Sequence, residues 1–392
     1  MAGPGGAGRG SGAGGAGATQ CGGPSGLAGP GGSAVGSYAP RMELDLGVGV
    51  GELTARLVDF ESVSGTEGPL ADAIEEALGG LSHLKVHRDG NAIVAHTELG
   101  RSQRVVLAGH IDTVPIAGNL PSRVDGGTLF GCGSSDMKAG VAVQLKLAAT
   151  VPDPVMDLTY VFYDCEEVES HRNGLRRLSR NCPDKLAADF AILLEPTGGV
   201  VEGGCQGTLK AEVRAKGERA HSARAWLGRN AIHEAGGILD ILREYQVREP
   251  DVDGLRYHEG LNAVRISGGV AGNVIPDECT VIVNFRFAPD RSAEQAAEYV
   301  RGLFSDWDVE ITDLAGGARP GLGHAAARSF VASMGGTPRA KLGWTDVARF
   351  DALGIPAVNY GPGDPAQAHT RGEHVSLAAI EECETRMAAW LA

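Results

Sequence analysis

The 392-residue sequence has no long apolar run, no basic cluster and no closely spaced cysteine pair. A membrane-spanning helix needs about 18 or more consecutive apolar residues, so a transmembrane protein is excluded. Lys and Arg number 35 against 49 Asp and Glu, which gives a net charge of −14. This acidic balance repels phosphate groups, and we therefore expect neither nucleic acid nor a membrane surface as a partner.

The seven cysteines are odd in number, widely spaced and without a Cys-x-x-Cys pair. This usage is typical of a reduced, intracellular protein and argues against a disulfide framework. Residues 1–37 contain sixteen of the 59 glycines, a single charge and no apolar segment of the signal-peptide type. We therefore expect a cytoplasmic protein whose residues 1–40 form a disordered Gly/Ala-rich tail.

After this tail, apolar segments of strand length alternate with helical patterns, which indicates an α/β layer with a largely parallel sheet. Between residues 207 and 315 the pattern changes to strand, helix, strand, strand, helix, strand, which is the order of a ferredoxin-like unit. The sequence therefore predicts two domains. An α/β domain comprises residues 41–206 and 316–392, and a smaller α+β domain, residues 207–315, is inserted into it.

Acidic residues and histidines follow the ends of several predicted strands or lie in a glycine-rich segment before a helix. In open α/β sheets, ligands bind beyond the carboxyl ends of the strands, so we expect these side chains to converge on one crevice. The residues concerned are His110, Asp112, Asp136, Glu166, Glu167, Glu195 and His369.

Several carboxylates in one crevice raise one another's pKa values, and bound cations remove that penalty. Imidazoles combined with carboxylates suit Zn²⁺, and the oxygen ligands also suit Co²⁺ or Mn²⁺. One carboxylate that bridges two ions about 3.5–4 Å apart is the arrangement of two-metal hydrolases. Each residue alone has a structural alternative, such as a core histidine, a helix cap or a solvated acidic pair. Their coincidence after strand-like segments favours a metal site.

The segments that carry these residues resemble the motifs of the M20 family of dinuclear zinc peptidases and deacylases, in the same order and over residues 50–390. The fold that this resemblance implies is a zinc-peptidase-like α/β metal domain with an inserted ferredoxin-like domain for dimerisation and lid closure. The matching segments are residues 108–115, 131–140, 164–167, 194–197 and 368–373, with a lid motif at 217–222 and 228–232.

The resemblance implies two divalent metal ions in each subunit, zinc with cobalt as an alternative. It assigns His110 and Glu195 to one ion and Glu167 and His369 to the other, with Asp136 as the bridging ligand.

The resemblance also assigns the catalytic residues. Asp112 matches the carboxylate that orients the first histidine ligand, and Glu166 matches the general base. His221 matches a lid histidine that, in family dimers, reaches into the partner's active site and binds the developing oxyanion. We therefore expect a homodimer formed through the lid domain. We also expect a cis peptide bond between Asp136 and Met137.

The implied reaction is hydrolysis of the amide bond of a small N-acyl amino acid or peptide. Several segments look most like the family members that release succinate from N-succinyl-L,L-diaminopimelate, on the route to lysine and the cell wall. Arginine forks suit such a carboxylate-rich substrate. The candidate substrate-binding residues are Arg286, Asn273, Thr208, Thr345, Arg349 and Arg224.

Other functions stay open at this point. The chain could be another M20 amidohydrolase, such as an acetylornithine or acetyl-lysine deacetylase, an aminoacylase or a carboxypeptidase. A non-catalytic binding protein on the same scaffold would lack a ligand or the base, and none is missing here. Cys132 and Cys205 lie in no recognisable Cys/His arrangement, which argues against a thiol nucleophile.

Overall fold

The computed structural model describes residues 43–392, so the tail predicted for residues 1–40 lies outside the described residues. The α-helices of this part are α1 (Val50–Asp59), α2 (Gly68–Gly79), α3 (Ala139–Thr150), α4 (Gly174–Asn181), α5 (Ala231–Glu244), α6 (Ala293–Leu303), α7 (Ala325–Met334), α8 (Val347–Ala352) and α9 (Leu377–Leu391). No helix within residues 43–392 combines the length and apolar character that a bilayer crossing requires.

The strands of the same part differ widely in length, and some in the largest sheet have only two or three residues. They are β1 (Lys85–Asp89), β2 (Ala92–His96), β3 (Arg104–His110), β4 (Arg123–Asp125), β5 (Thr128–Phe130), β6 (Asp157–Tyr163), β7 (Phe190–Leu193), β8 (Glu202–Gly203), β9 (Gly207–Lys216), β10 (Ala220–His221), β11 (Asp251–Val252), β12 (Leu255–Arg256), β13 (Gly260–Gly268), β14 (Val274–Ile275), β15 (Glu278–Phe287), β16 (Asp308–Ala315), β17 (Arg339–Ala340), β18 (Ala357–Asn359) and β19 (His374–Ser376).

The largest sheet has eight strands in the order β1-β2-β6-β3-β7-β18-β8-β17. The four central strands run parallel to one another, with β3 between β6 and β7 and β18 beside β7. The strands β1 and β2 at one edge pair antiparallel, and β8 pairs antiparallel with β18. The largely parallel sheet that the sequence predicts is therefore present, with antiparallel pairings of β1 with β2, β2 with β6 and β8 with β18.

Both faces of the central strands are buried. Along β3, Val105 and Leu107 pack into one core, which α1, α2, α3 and α9 cover. Val106 and Ala108 pack into a second core on the opposite face, which α4 and α8 cover. A strand covered on both faces reads as a continuous apolar run, which is why the sequence pattern located these strands.

The carboxyl ends of the central strands lie at one edge of the sheet because the strands are parallel. His110 ends β3, Glu166 and Glu167 follow β6, and Glu195 follows β7. The loop after β18 leads to His369. The topology thus places the predicted site residues at the edge of the sheet where the parallel strands end.

A four-stranded antiparallel sheet in the order β13-β15-β9-β16 lies within residues 207–315, with α5 and α6 packed on its apolar face. Its elements follow the chain as β9, α5, β13, β15, α6 and β16, and alternate residues of β15 are buried. The strands and helices predicted for this region are all present. The placement of domain boundaries at 206/207 and 315/316 stays a prediction.

Candidate metal centre

One predicted ligand group lies where β3 and β7 end. His110 is buried, and its Nε2 lies 3.1 Å from Oδ1 of Asp136. Glu195, two residues beyond β7, completes the group, in which the ligand atoms all lie within 4.8 Å of one another. A single small cation could therefore contact an imidazole nitrogen and two carboxylates here.

A second group shares Asp136 with the first. His369 Nε2 lies 2.8 Å from Oε1 of Glu167 and 3.6 Å from Oδ2 of Asp136. The ligand atoms of these three residues also lie within 4.8 Å of one another. Asp136 thus turns one carboxylate oxygen toward His110 and the other toward His369. The structure brings together all five residues that the sequence predicts as ligands.

The electrostatics of the centre fit a cation. Burial raises the pKa of Glu195 to about 7, and the neighbouring Asp136 carboxylate adds to the effect. Glu195 Oε1 has no hydrogen-bond partner among residues 43–392 although it is buried. The carboxylate of Glu167 raises the pKa of His369 to about 9. A divalent ion would satisfy the unpaired oxygen and relieve the crowding of acidic groups, and the nitrogen and oxygen donors suit zinc or cobalt.

Glu166 lies beside the ligands and lines the cleft that leads to them. Its carboxylate forms a group with His110 and Glu167 whose ligand atoms lie within 4.8 Å of one another. The cleft has a volume of about 1190 Å³, and Glu166 and Glu167 are among its lining residues. Burial raises the pKa of Glu166 well above its ordinary value. A carboxylate of raised pKa at the mouth of a metal centre can exchange protons near neutral pH.

Asp112 holds several of these residues in place. It is fully buried, and its two oxygens accept the backbone N–H groups of Glu166 at 3.0 Å and Glu167 at 3.1 Å. Ser64 donates its hydroxyl to the same carboxylate at 2.6 Å. His110 Nδ1 lies 3.1 Å from the Asp112 carbonyl and 3.5 Å from its Oδ1. Asp112 therefore orients both the imidazole ring and the paired glutamates.

Glu373 performs a similar task for the loop that carries Asp136, and the sequence analysis assigned it no role. Its buried carboxylate accepts the backbone N–H groups of Gly133 at 2.9 Å, Ser135 at 2.9 Å and Asp136 at 3.0 Å. The predicted cis peptide bond between Asp136 and Met137 is present in this loop. The only signal in the sequence was the position of Glu373 at the end of the segment that contains His369.

Glu67 is a further buried carboxylate that the sequence analysis did not identify. Its Oε1 accepts the backbone N–H groups of Gly65 at 2.8 Å and Cys165 at 3.1 Å. Cys165 has a positive φ of 57° and directly precedes Glu166. Glu67 thus supports the turn from which the predicted base projects.

The predicted substrate-binding residues are spread over several places. Thr208 and Arg349 line the cleft beside Glu166 and Glu167. Thr345 is buried, donates its hydroxyl to Asn359 at 2.9 Å and is not among the residues that line the cleft. Arg286 lies opposite Thr208 in the ladder between β15 and β9, and its guanidinium forms no ion pair within residues 43–392.

His221, Arg224 and Asn273 lie together at the exposed ribbon formed by β10 and β14. The backbone N–H of Ser222 donates to the Asn273 carbonyl at 2.9 Å. The residues that line the cleft within the described part of the chain do not include these three. The roles predicted for them therefore stay predictions.

The model of peptidase family M20/M25/M40 matches residues 106–392 of this chain. The chain belongs to this family. The resemblance inferred from the motifs is thereby confirmed, and so is the prediction of a metal-dependent hydrolase.

Two relatives of this M20 chain cover most of its length. A protein of Mycobacterium tuberculosis (strain CDC 1551 / Oshkosh), provisionally named a succinyl-diaminopimelate desuccinylase, is 57% identical over 332 residues, which is 84% of this chain and 94% of that protein. The succinyl-diaminopimelate desuccinylase of Corynebacterium glutamicum is 49% identical over 343 residues, which is 84% of this chain and 92% of that protein.

A solved M20 structure supports the fold. The Bacillus subtilis YXEP protein, described as a dinuclear metal binding peptidase, has a TM-score of 0.63 at 16% identity. The match covers 87% of this chain and 96% of that protein. At this identity the comparison shows the mixed α/β fold, which confirms the coarser part of the fold prediction.

Proposed function

We propose that this chain hydrolyses the amide bond of N-succinyl-L,L-diaminopimelate to succinate and L,L-diaminopimelate. The observation that carries the proposal is the pair of ligand groups that share Asp136 beside Glu166, at the cleft. The names of the two relatives at 57% and 49% identity support this choice of substrate.

We further propose that the centre holds two divalent ions, zinc or cobalt. His110 and Glu195 would hold one ion, Glu167 and His369 would hold the other, and Asp136 would be a ligand shared by both. The unpaired oxygen of Glu195 supports this assignment, as does the direction of the two Asp136 oxygens toward different histidines. When bound, such ions supply Lewis acidity toward the amide carbonyl and lower the pKa of water.

Glu166 is the general base in this proposal. The water oxygen bonds to the carbonyl carbon of the scissile amide, and Glu166 takes the proton that the water loses. The same proton then goes to the leaving amine nitrogen as the C–N bond breaks. The hydrogen bonds from Glu166 and Glu167 to Asp112 fix the backbone from which the base projects.

Arg286 is proposed as a binding group for a substrate carboxylate, with Thr208 opposite it in the sheet. Burial lowers the pKa of the Arg286 guanidinium, which has no ion-pair partner within residues 43–392. An anion that binds stabilises a partly buried and unpaired guanidinium, because it replaces the hydrogen bonds that burial takes away from water. A carboxylate group of the proposed substrate would supply such an anion.

Residues 207–315 are proposed as an inserted ferredoxin-like domain that forms a homodimer and acts as a lid. The edge strand β13 exposes Val264 and Ile266, and Trp226 and Leu227, in the segment after β10, are also exposed. An exposed apolar edge strand is a template for pairing with a second strand, and a second copy of this chain offers the same edge. In the dimer, His221 would contribute a donor to the partner's active site.

The test is hydrolysis of N-succinyl-L,L-diaminopimelate beside N-acetylornithine by the purified protein, with and without added Zn²⁺. We expect metal-dependent release of succinate and little acetate. Release of acetate alone would be consistent with the proposed metal centre but would show that the enzyme is a deacetylase. Activity on neither substrate, with metal bound, would overturn the proposed reaction.

A further inference from the structure

The wall of the cleft beyond the paired glutamates carries two arginines from neighbouring helices. Arg176 lies in the first turn of α4, and Arg349 lies in α8. Both line the same cleft as Glu166 and Glu167. Arg176 has no role in the metal centre described above, and its surroundings indicate a role in binding substrate.

The two helices are fixed relative to each other at their first residues. Asn173 accepts the backbone N–H of Arg176 at 3.0 Å and donates its side-chain amide to Asp346 at 2.9 Å. Asp346 is fully buried at the start of α8. Apolar side chains of both helices then share one core beneath the cleft. This bridge holds the backbones that carry the two arginines side by side.

The Arg349 guanidinium is already oriented. Its Nε donates to Asp346, its Nη2 donates to Ser170 Oγ at 3.3 Å, and its Cζ lies 5.2 Å from the centroid of the Trp344 ring. A guanidinium held on three sides loses little conformational freedom when a ligand binds. Ser170 and Trp344 also line the cleft.

Arg176 differs because it has no counter-charge. Its guanidinium makes no hydrogen bond and no ion pair with any residue of 43–392. Burial lowers the pKa of Arg176, and repulsion from Arg180 and Arg349 lowers it further. Arg349 already pairs with Asp346, so the unpaired Arg176 carries the positive charge that an anion bound beside the two guanidinium groups would neutralise.

We propose that Arg176 and Arg349 form a carboxylate-binding subsite on the wall of the cleft, which selects substrates that carry a carboxylate away from the scissile amide. This subsite rests on the proposed function for the identity of that substrate. The carboxylate comes from one of two sources, the succinyl group or the far end of the diaminopimelate moiety. The experiment below distinguishes them.

The experiment compares the metal-loaded wild type with Arg176→Ala and Arg176→Lys. Arg180→Ala is the matched control, because Arg180 is exposed on the same helix and lies outside the cleft lining. We expect Arg176→Ala to lower kcat/KM for N-succinyl-L,L-diaminopimelate roughly 10- to 100-fold, mostly through KM, which is the loss expected for a charge-assisted hydrogen-bond pair. Arg176→Lys should lose less because it keeps the charge without the fork. Arg180→Ala should stay close to wild type.

Two truncated substrates identify the carboxylate. N-acetyl-L,L-diaminopimelate lacks the succinyl carboxylate. Nα-succinyl-L-lysine lacks the carboxylate at the end of diaminopimelate far from the scissile amide. The penalty of Arg176→Ala should disappear for the substrate that lacks the contacted group. An equal penalty on all three substrates would overturn the subsite, and so would the absence of any penalty.

A binding measurement separates this inference from the proposed reaction. Calorimetric titration of the metal-loaded protein with succinate and with L,L-diaminopimelate requires no turnover. Binding that weakens in Arg176→Ala but not in Arg180→Ala supports the subsite even if the wild type hydrolyses none of the substrates. Binding that is equal in all variants, or absent from the wild type, overturns it.

Discussion

Oε1 of Glu373 accepts the backbone N–H of Asp136 at 3.0 Å, although the two residues lie 237 positions apart in the chain. The same carboxylate accepts two further N–H groups of that loop, and Glu373 follows His369 by four residues. One buried side chain therefore connects the loop of the proposed bridging ligand to the loop of the last ligand. This connection fixes the position of the Asp136 loop relative to the segment that carries His369.

Substitution of Glu373 should weaken metal binding. In Glu373→Gln, an amide N–H group replaces a carboxylate oxygen and meets backbone N–H groups that need an acceptor. We expect metal affinity to fall roughly 10- to 100-fold, as for other residues that support metal ligands. Titration against a competing chelator measures this change. Glu381→Gln, at an exposed position on α9, is the control. An affinity equal to that of the wild type would show that Glu373 has no positioning role.

Substitution of Glu166 should separate catalysis from metal binding. Glu166→Gln keeps the size of the side chain and removes its ability to take a proton. We expect kcat to fall at least about 10²- to 10⁴-fold, the usual contribution of a general base, while the metal content stays that of the wild type. Kinetic assays and elemental analysis of the same sample measure both quantities. Glu169→Gln, which alters another acid of the cleft lining, is the control. Substantial activity in Glu166→Gln would refute the assignment of the base.

The parts of this molecule that the sequence predicted have strong local signals. The buried central strands are continuous apolar runs, and the acids and histidines follow them at parallel carboxyl ends. Because parallel strands share one direction, strand assignment alone predicted that His110, Glu167 and Glu195 would meet. The alternation along β9 and β15 likewise revealed the antiparallel sheet.

The parts that the sequence did not predict depend on contacts between distant segments. Strands of two or three residues, such as β4, β5 and β19, are too short to show a period. Glu373 and Glu67 accept hydrogen bonds from backbone N–H groups, which nearly every residue type has, so these contacts cannot be recognised from a sequence pattern. Arg176 required knowledge of which helices line the cleft.

Metal binding should release a proton from His369. The Glu167 carboxylate raises the pKa of this imidazole to about 9, so the metal-free ring is protonated at pH 8, and a cation needs the neutral ring. Apparent affinity should therefore increase with pH up to about 9, roughly tenfold per unit for each released proton. His110 adds to this dependence because, against the effect of burial, its hydrogen bonds to Asp112 and Asp136 raise the pKa of its ring. Glu195, with a pKa of about 7, is already ionised at pH 8 and contributes little there.

Calorimetry at pH 8 in two buffers of different ionisation enthalpy measures the protons released. We expect about one proton to leave His369 in the wild type, and its contribution to be lost in His369→Gln. Equal proton release in the two proteins would contradict the assignment of His369 as a ligand.

Loss of the His221 imidazole should reduce turnover without dissociating the proposed dimer. In His221→Ala we expect kcat to fall about 10²- to 10³-fold, as when one oxyanion donor is removed. Co-expression of His221→Ala with Glu166→Gln tests whether His221 acts in the partner's site. A mixed dimer has one complete site if it does, and random assembly then restores about a quarter of wild-type activity. No recovery in the mixture, despite proven mixed dimers, would place His221 in its own subunit's site or in none.

Charge on the edge strand β13 should separate the subunits. Val264 is 59% exposed and Ile266 is 50% exposed, and glutamate at either position would bury an unpaired carboxylate in both halves of a symmetric interface. We expect the dimer dissociation constant to increase roughly 100-fold or more, since each interface then contains two such charges. The monomer should lose most of its activity, because His221 can no longer reach a partner's site, yet should bind metal normally. Sedimentation velocity and metal analysis measure these effects. Val124→Glu, an equally exposed position on β4, is the control. A fully active monomer would show that each subunit contains a complete active site.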